Sequence, residues 1–227
     1  MTNIVLELAG VTKQYGALRP LRVEHLAVTA GEHIAILGLD QPAAEVLIGL
    51  ITGASLPDTG QVTVFGRSTA DIADSDDWLT SLDRFGIVSQ RAALLEPLSV
   101  VQNLALPFSL EIEPPPPDVA ERAAQLAREV GLVDELLSES ITALNAAGRM
   151  RIHLARALAF DPGVLLVEHP TATLAKHEVK ALGQTIRTVA TQRTAAVLTM
   201  TADVDYARVA ADRPLRLDLA TGRLTKL

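Results

Sequence analysis

"GEHIAILGLDQPAAEVLIGLITG", residues 31–53, decides how this chain is read. His33 to Leu37 has the length and apolar character of a buried strand. It runs into Gly38 and then into an apolar helix. A strand, a glycine and a helix in that order form the setting of a phosphate-binding loop. Such a loop works by pointing successive backbone N–H groups inward, with glycines in conformations that other residues avoid. The loop present here, "GLDQPAAEV" (Gly38–Val46), has no lysine, no hydroxyl residue and no second glycine. Pro42 contributes no N–H and holds φ at about −65°. Asp40 and Glu45 repel an anionic ligand. Asp40 nevertheless suits a helix N-cap, and Pro42 is tolerated in a first helical turn. A carboxylate at a helix N-terminus is stabilised by ~0.3–1 kcal/mol. The expectation is that the loop's own carboxylate replaces the phosphate, so that the segment serves the fold and not a nucleotide.

Outward from this stretch, apolar strands and helices alternate. "IVLELAGV" (4–11) and "LRVEHLAVTAGE" (21–32) read as strands with turns. "PDTGQVTVFG" (57–66) is a turn and a short strand, and "FGIVSQ" (85–90) another strand. "EIEPPPPDVAE" (111–121) reads as a stiff polyproline connector, delivering the chain to Asp118, which with Glu121 has the pattern of a capping box. Helices are expected over "VAERAAQLAREV" (119–130), "MRIHLARALAF" (150–160) and "KHEVKALGQTIRTVATQ" (176–192). "GVLLVEHP" (163–170) and "AAVLTMT" (195–201) are buried strands. "PLRLDLATGRLTKL" (214–227) reads as a hairpin around Thr221–Gly222. The expected fold is α/β: a mostly parallel, mixed sheet with an antiparallel β subdomain. It forms one unit over 1–227, in which the core and β subdomain take 1–90 and 161–227 and a helical subdomain takes about 91–160.

Composition narrows the function. Of 227 residues, 48% are hydrophobic and 21% charged, so a sizeable core is available. The net charge of −7 and an isoelectric point near 5.2 argue against a nucleic-acid surface, and aromatic residues at 3% argue against base stacking. The absence of cysteine removes disulfides, thiolate chemistry and Cys-based metal sites. "MTNIVLELAG" has no basic leader pattern, and no apolar run approaches the ~18 residues of a membrane span. Any membrane link is therefore expected to run through a partner.

The order of the pieces resembles the nucleotide-binding subunit of ABC transporters, over essentially the whole chain. Tyr15 in "VTKQYGA" sits where that family places an aromatic residue against adenine. "GEHIAILGL" is similar to the strand and glycine before its Walker A loop. Gln90 in "FGIVSQRAALLEPLSVVQNLALP" matches the Q-loop glutamine. "ALNAAGRMRIHLARALAFDPGVLLVEHPTATL" resembles the signature helix, Walker B and D-loop, and "VLTMTADVDYARVAADR" the switch segment. The resemblance implies a P-loop NTPase-like fold, ATP and Mg²⁺ as ligands, a second ATPase subunit in a homo- or heterodimer, and a membrane permease gripped by Gln90–Asn103. It also implies a cytoplasmic place, peripheral on the inner face of the cell membrane. Segment 86–108 leans towards the lipoprotein-release and macrolide-export type.

The family's ligand residues are largely replaced. In the Walker pattern G-x-x-x-x-G-K-S/T, counted from Gly38, the second glycine becomes Ala43, the lysine Ala44 and the magnesium hydroxyl Glu45. The signature becomes Leu144-Asn145-Ala146-Ala147-Gly148. The Walker B aspartate becomes Glu168, the catalytic glutamate His169, the D-loop aspartate Ala175 and the switch histidine Ala202. Tyr15, Gln90 and Arg151 remain. No catalytic residue, bound ATP or metal is expected on these terms. Gln90 and Glu168 are the positions that would ligate a metal. His33 and His153 read as fold residues, and Tyr15 as an ordered turn residue. The expected function is a degenerate ABC subunit with little or no hydrolysis of its own. The alternatives are a nucleotide-free pseudo-ATPase acting as scaffold or regulator, and an active ATPase with atypical motifs.

Overall fold

A computed structural model describes residues 3–227; Met1 and Thr2, the first two residues of the "MTNIVLELAG" reading, lie outside it. Two sheets carry the fold. The first is antiparallel, in the order β2 (Leu21–Thr29), β1 (Ile4–Lys13), β4 (Thr59–Val64), β5 (Arg67–Ser68). The second runs β10 (Leu224–Lys226), β9 (Arg213–Leu217), β3 (His33–Leu37), β8 (Ala196–Met200), β7 (Val164–Glu168), β6 (Phe85–Val88). All its pairings are parallel except β9 with β10. This is the mixed α/β architecture expected from the sequence, and the C-terminal hairpin forms as read.

Strands β3, β7 and β8 are buried along their whole length. A parallel strand covered on both faces needs a near-continuous apolar run, and each of the three has one with a single polar residue, His33, Glu168 or Thr199. Alternate side chains enter different cores. Val164 and Leu166 of β7 pack with the antiparallel sheet and α1 (Gln41–Ile51). Leu165 and Val167 pack with the helices on the other face. Those helices are α3 (Val100–Ala105), α4 (Pro117–Glu129), α5 (Ala146–Ala157), α6 (Val179–Gln192) and α7 (Val204–Ala210). A further helix, α2 (Ser75–Leu82), precedes β6. Among the described residues, no helix is long and apolar enough to cross a membrane.

Gly38 ends β3 at φ +102°, and a Cβ there would stand 2.7 Å from the Leu217 carbonyl oxygen of β9. The position therefore needs glycine for packing, whatever it binds. Beyond α6, Arg193 grips both carboxylate oxygens of Glu129 on α4, at 2.6 and 2.7 Å. Its Nη1 also donates to the Leu158 carbonyl after α5, at 2.9 Å. One planar side chain thus ties three helix ends together.

Three helix starts differ from the sequence reading, and the helix read over 150–160 is α5, which begins at Ala146 behind its Asn145 cap and ends at Ala157. Asp118 and Glu121 form no capping box: α4 begins at Pro117, its N-cap is Pro116, and no side chain caps it. A proline at the first helical position has no N–H to satisfy, so a cap is less needed. Glu121 pairs with Arg128 instead. The last long helix begins at Val179, later than Lys176. The Glu178 carboxylate accepts from the Ala175 N–H at 3.2 Å and from Asn145 Nδ2 at 2.8 Å, which holds the preceding residues in turns.

His33 and His153 are 2% and 7% exposed, as fold residues should be. Burial, and then the nearby Arg156 charge, push the His153 pKa down to about 4. The folded form thus disfavours the proton that the unfolded chain accepts near its ordinary value of about 6.5. The contribution of His153 is complete above that value and is lost as pH falls towards 4. Urea denaturation across this window should show wild type losing more stability than His153→Gln; equal losses would contradict the assignment.

Candidate functional site

The site is assembled from the loops at the carboxyl ends of β3, β6 and β7 and the first turn of α1. At α1, the Asp40 side chain accepts the Ala43 N–H at 2.9 Å, and the Asp40 carbonyl accepts the Ala44 N–H at 2.9 Å. With Pro42 lacking an N–H, the loop presents no amide at 42, and those of Ala43 and Ala44 are already bound within the chain. Ala43 and Ala44 are fully buried. A lysine at 44 would therefore start from a packed position, not from an open loop.

The same device closes the signature-like segment. Asn145 is the N-cap of α5, and its Oδ1 accepts the Gly148 N–H at 2.8 Å. Its Nδ2 reaches Glu178, so the loop before α5 is also tied to the segment before α6. Both helix starts that resemble ATP-facing elements are thus capped from within.

Glu168 ends β7 and is 3% exposed. Its Oε2 accepts from Ser89 Oγ at 2.6 Å and from Arg91 Nη2 and Nε at 3.0 and 3.1 Å. Arg91 Nη1 turns to Glu45 Oε1 at 2.6 Å. The Arg91 backbone N–H donates to Ser89 Oγ at 3.1 Å, which closes a small ring of hydrogen bonds. Burial lowers the guanidinium pKa, but the bonds to Glu168 and then Glu45 outweigh it, and the net shift is upward. Glu168 Oε1 is buried without a partner.

The expected positions do not all converge. Glu45 and Glu168 meet through Arg91. Gln90 turns away and donates to Thr173 Oγ1 at 3.0 Å. His169 holds φ +41°, its N–H donates to the Met200 carbonyl, and its Nε2 is buried without a partner. Ala202 is exposed and lines a separate open cleft with Asp203 and Lys176. Tyr15 packs against the core beside α1, in a hollow of about 390 Å³ shared with Pro42 and Glu45. Burial, and then the Asp40 charge, push its pKa up. Arg91 and Ser89 were not singled out from sequence. Their signal was there: acids at 45 and 168, both at family metal positions, call for a cation, and Arg91 adjoins the Q-loop glutamine.

A central strand–glycine–helix turn, a parallel sheet, an antiparallel sheet and a helical lobe define a P-loop NTPase-type cassette. The ABC transporter family matches residues 21–172, and the chain belongs to it. The methionine import ATP-binding protein MetN of Brucella abortus is 29% identical over 214 residues, 94% of this chain and 57% of that protein. The chain thus spans little more than half the length of that relative. The lipoprotein-releasing system ATP-binding protein LolD of Pseudomonas syringae pv. tomato is 29% identical over 88% of this chain and 86% of its own. Of solved structures, cbiO1 of Clostridium perfringens, part of the cbiONQ ABC transporter complex, has a TM-score of 0.83 at 19% identity, covering 98% of this chain and 87% of its own. The cassette MJ0796, in a dimeric post-hydrolysis state with ADP and Pi, has 0.77 at 22% identity and covers 98% of each chain. Both structures speak to the fold.

The self-made caps should carry measurable stability. Asp40→Ala and Asn145→Ala should each cost roughly 1 kcal/mol in denaturant unfolding. A neutral result at both positions would mean that the caps are not what holds these helix starts.

Proposed function

We propose that the chain is a degenerate ABC subunit that pairs with a second ATPase subunit beneath a membrane permease and neither holds nor hydrolyses Mg·ATP. One observation carries this reading: the groups that would receive a nucleotide already have partners within the chain. The Ala43 amide is bound by Asp40, and the carboxylates at 45 and 168 are bound by Arg91. The residues do not fit a magnesium triphosphate. The catalytic and switch positions, His169 and Ala202, supply no carboxylate and no imidazole respectively. Tyr15, Gly38 and Gln90 keep their family identities, but as turn, packing and loop residues.

Charge-assisted hydrogen bonds contribute roughly 1.5–3 kcal/mol each. Losing the lysine, the glycine-shaped nest and the magnesium hydroxyl removes several powers of ten in affinity. Isothermal titration of the chain with Mg·ATP should show no saturable binding below the millimolar range, and Ala44→Lys alone should not restore it. A micromolar dissociation constant would overturn this reading in favour of an active ATPase with atypical motifs.

The permease contact is assigned to Gln90–Asn103 and the groove beside it. Asn103 is fully buried and holds the loop by bonds to Leu95 and Ser99 backbone atoms, at 2.9 to 3.0 Å. The groove, about 410 Å³, lies between Ile87, Leu106 and Phe160, and Phe160 is 57% exposed. Here 1–90 and 161–227 act as the core with its β subdomain, and about 91–160 as the helical subdomain that meets the permease. On this reading the chain sits peripherally on the inner face of the cell membrane. Support for the transporter context comes from relatives named as ATP-binding parts of import and release systems. Leu95→Asp with Phe160→Asp should abolish co-purification with the permease while the chain stays folded by circular dichroism, the Phe160 change costing only its edge contact with Phe108. Leu94 is unsuitable for this test because it packs on the helical core. Undiminished co-purification would favour the second reading, a nucleotide-free scaffold or regulator. The self-capped starts of α1 and α5 support that reading too, since they need no ligand.

A further inference from the structure

Glu45 projects from α1, just past its first turn, and Glu168 from the end of β7, and Arg91 stands between them. The groups gathered here are the Ser89 hydroxyl and two carboxylates, one of which, that of Glu168, has its Oε1 buried and unpartnered. That is the donor set a hard divalent cation takes, with waters completing its shell. Arg91 lies at hydrogen-bond distance from both carboxylates, 2.6 Å to Glu45 and 3.0 Å to Glu168. Its planar fork addresses two acids at once, which the single ammonium of a lysine does less well. A metal ion between the same oxygens and this guanidinium would face a fixed positive charge at contact distance.

The geometry points to Arg91 as a resident cation: a guanidinium built into the chain takes the place of a divalent metal between Glu45 and Glu168, excludes metal, and leaves behind a two-carboxylate metal site when it is removed. This deepens the reading given under Proposed function and rests on the same site. It makes a separate claim, because it concerns metal without nucleotide. The neutralisation that a family member would obtain from a bound ion is here supplied by a side chain that cannot dissociate.

Mn²⁺ is the probe, titrated into the full nucleotide-free chain and followed by the paramagnetic resonance of the free ion. Wild type should show no saturable binding below the millimolar range. R91A should acquire one site, at least about tenfold tighter than anything wild type shows. R91A/E45Q and R91A/E168Q should lose it, and R91K, which keeps a cation, should not gain it. Absence of a gain in R91A overturns the inference, as does a wild-type site that E45Q removes. Should R91A fold poorly, thermal melting of R91Q with and without Mn²⁺ decides the matter. The metal should raise the melting temperature of R91Q and not that of wild type, and equal shifts in both overturn the inference. The outcomes separate from those for ATP. Tight Mg·ATP binding by wild type alongside an R91A-specific Mn²⁺ site would sink the non-binding reading and keep this one. No ATP binding and no Mn²⁺ gain would do the reverse.

Discussion

A carboxylate at 3% exposure is the constraint around which the middle of this molecule is arranged. An ionised acid removed from water is costly unless it is paired and hydrogen-bonded. Glu168 stands at the end of a fully buried strand, so its partners must come from neighbouring strand ends. β6 lies beside β7 in parallel register, and the chain leaving β6 brings Ser89 and Arg91 directly to the acid. Once Arg91 is there, its second arm finds Glu45, and α1 is joined to β7 across the sheet. The path of the loop after β6 follows from the need to neutralise one side chain.

The two capped helix starts apply a related rule. A helix N-terminus offers unpaired N–H groups and a partial positive charge. An external anion can satisfy them, or a side chain one residue before the helix can do so. Here Asp40 and Asn145 do so locally, each accepting one N–H from the first turn of its helix. Permanent occupation by short side chains fixes the loops in place, where a bound ligand would fix them only while it stayed.

Much of this was legible in the sequence, because it depended on neighbours in the chain. The mostly apolar runs at 33–37, 163–170 and 195–201 announced buried strands, and Asp40 before Pro42 announced a cap. What the sequence hid depended on distant partners. Arg91 meets Glu168 across 77 positions, and no local pattern reports such a pair. The start of the last long helix was hidden because Glu178 is bound to Asn145 from another element. The missing cap at α4 was a conflict between two local signals, a capping pattern at 118–121 and a proline at the first turn, and the proline prevailed.

Strand β7 has a mechanical consequence. Its side chains alternate between the core shared with the antiparallel sheet and the core shared with the helices, so neither core has a wall of its own along this line. Loosening either one withdraws support from the other through the same four residues, Val164 to Val167. The chain should therefore melt in a single transition. Opening of the helical lobe alone would have to strip its partners from Leu165 and Val167 while Val164 and Leu166 on the same strand stay packed.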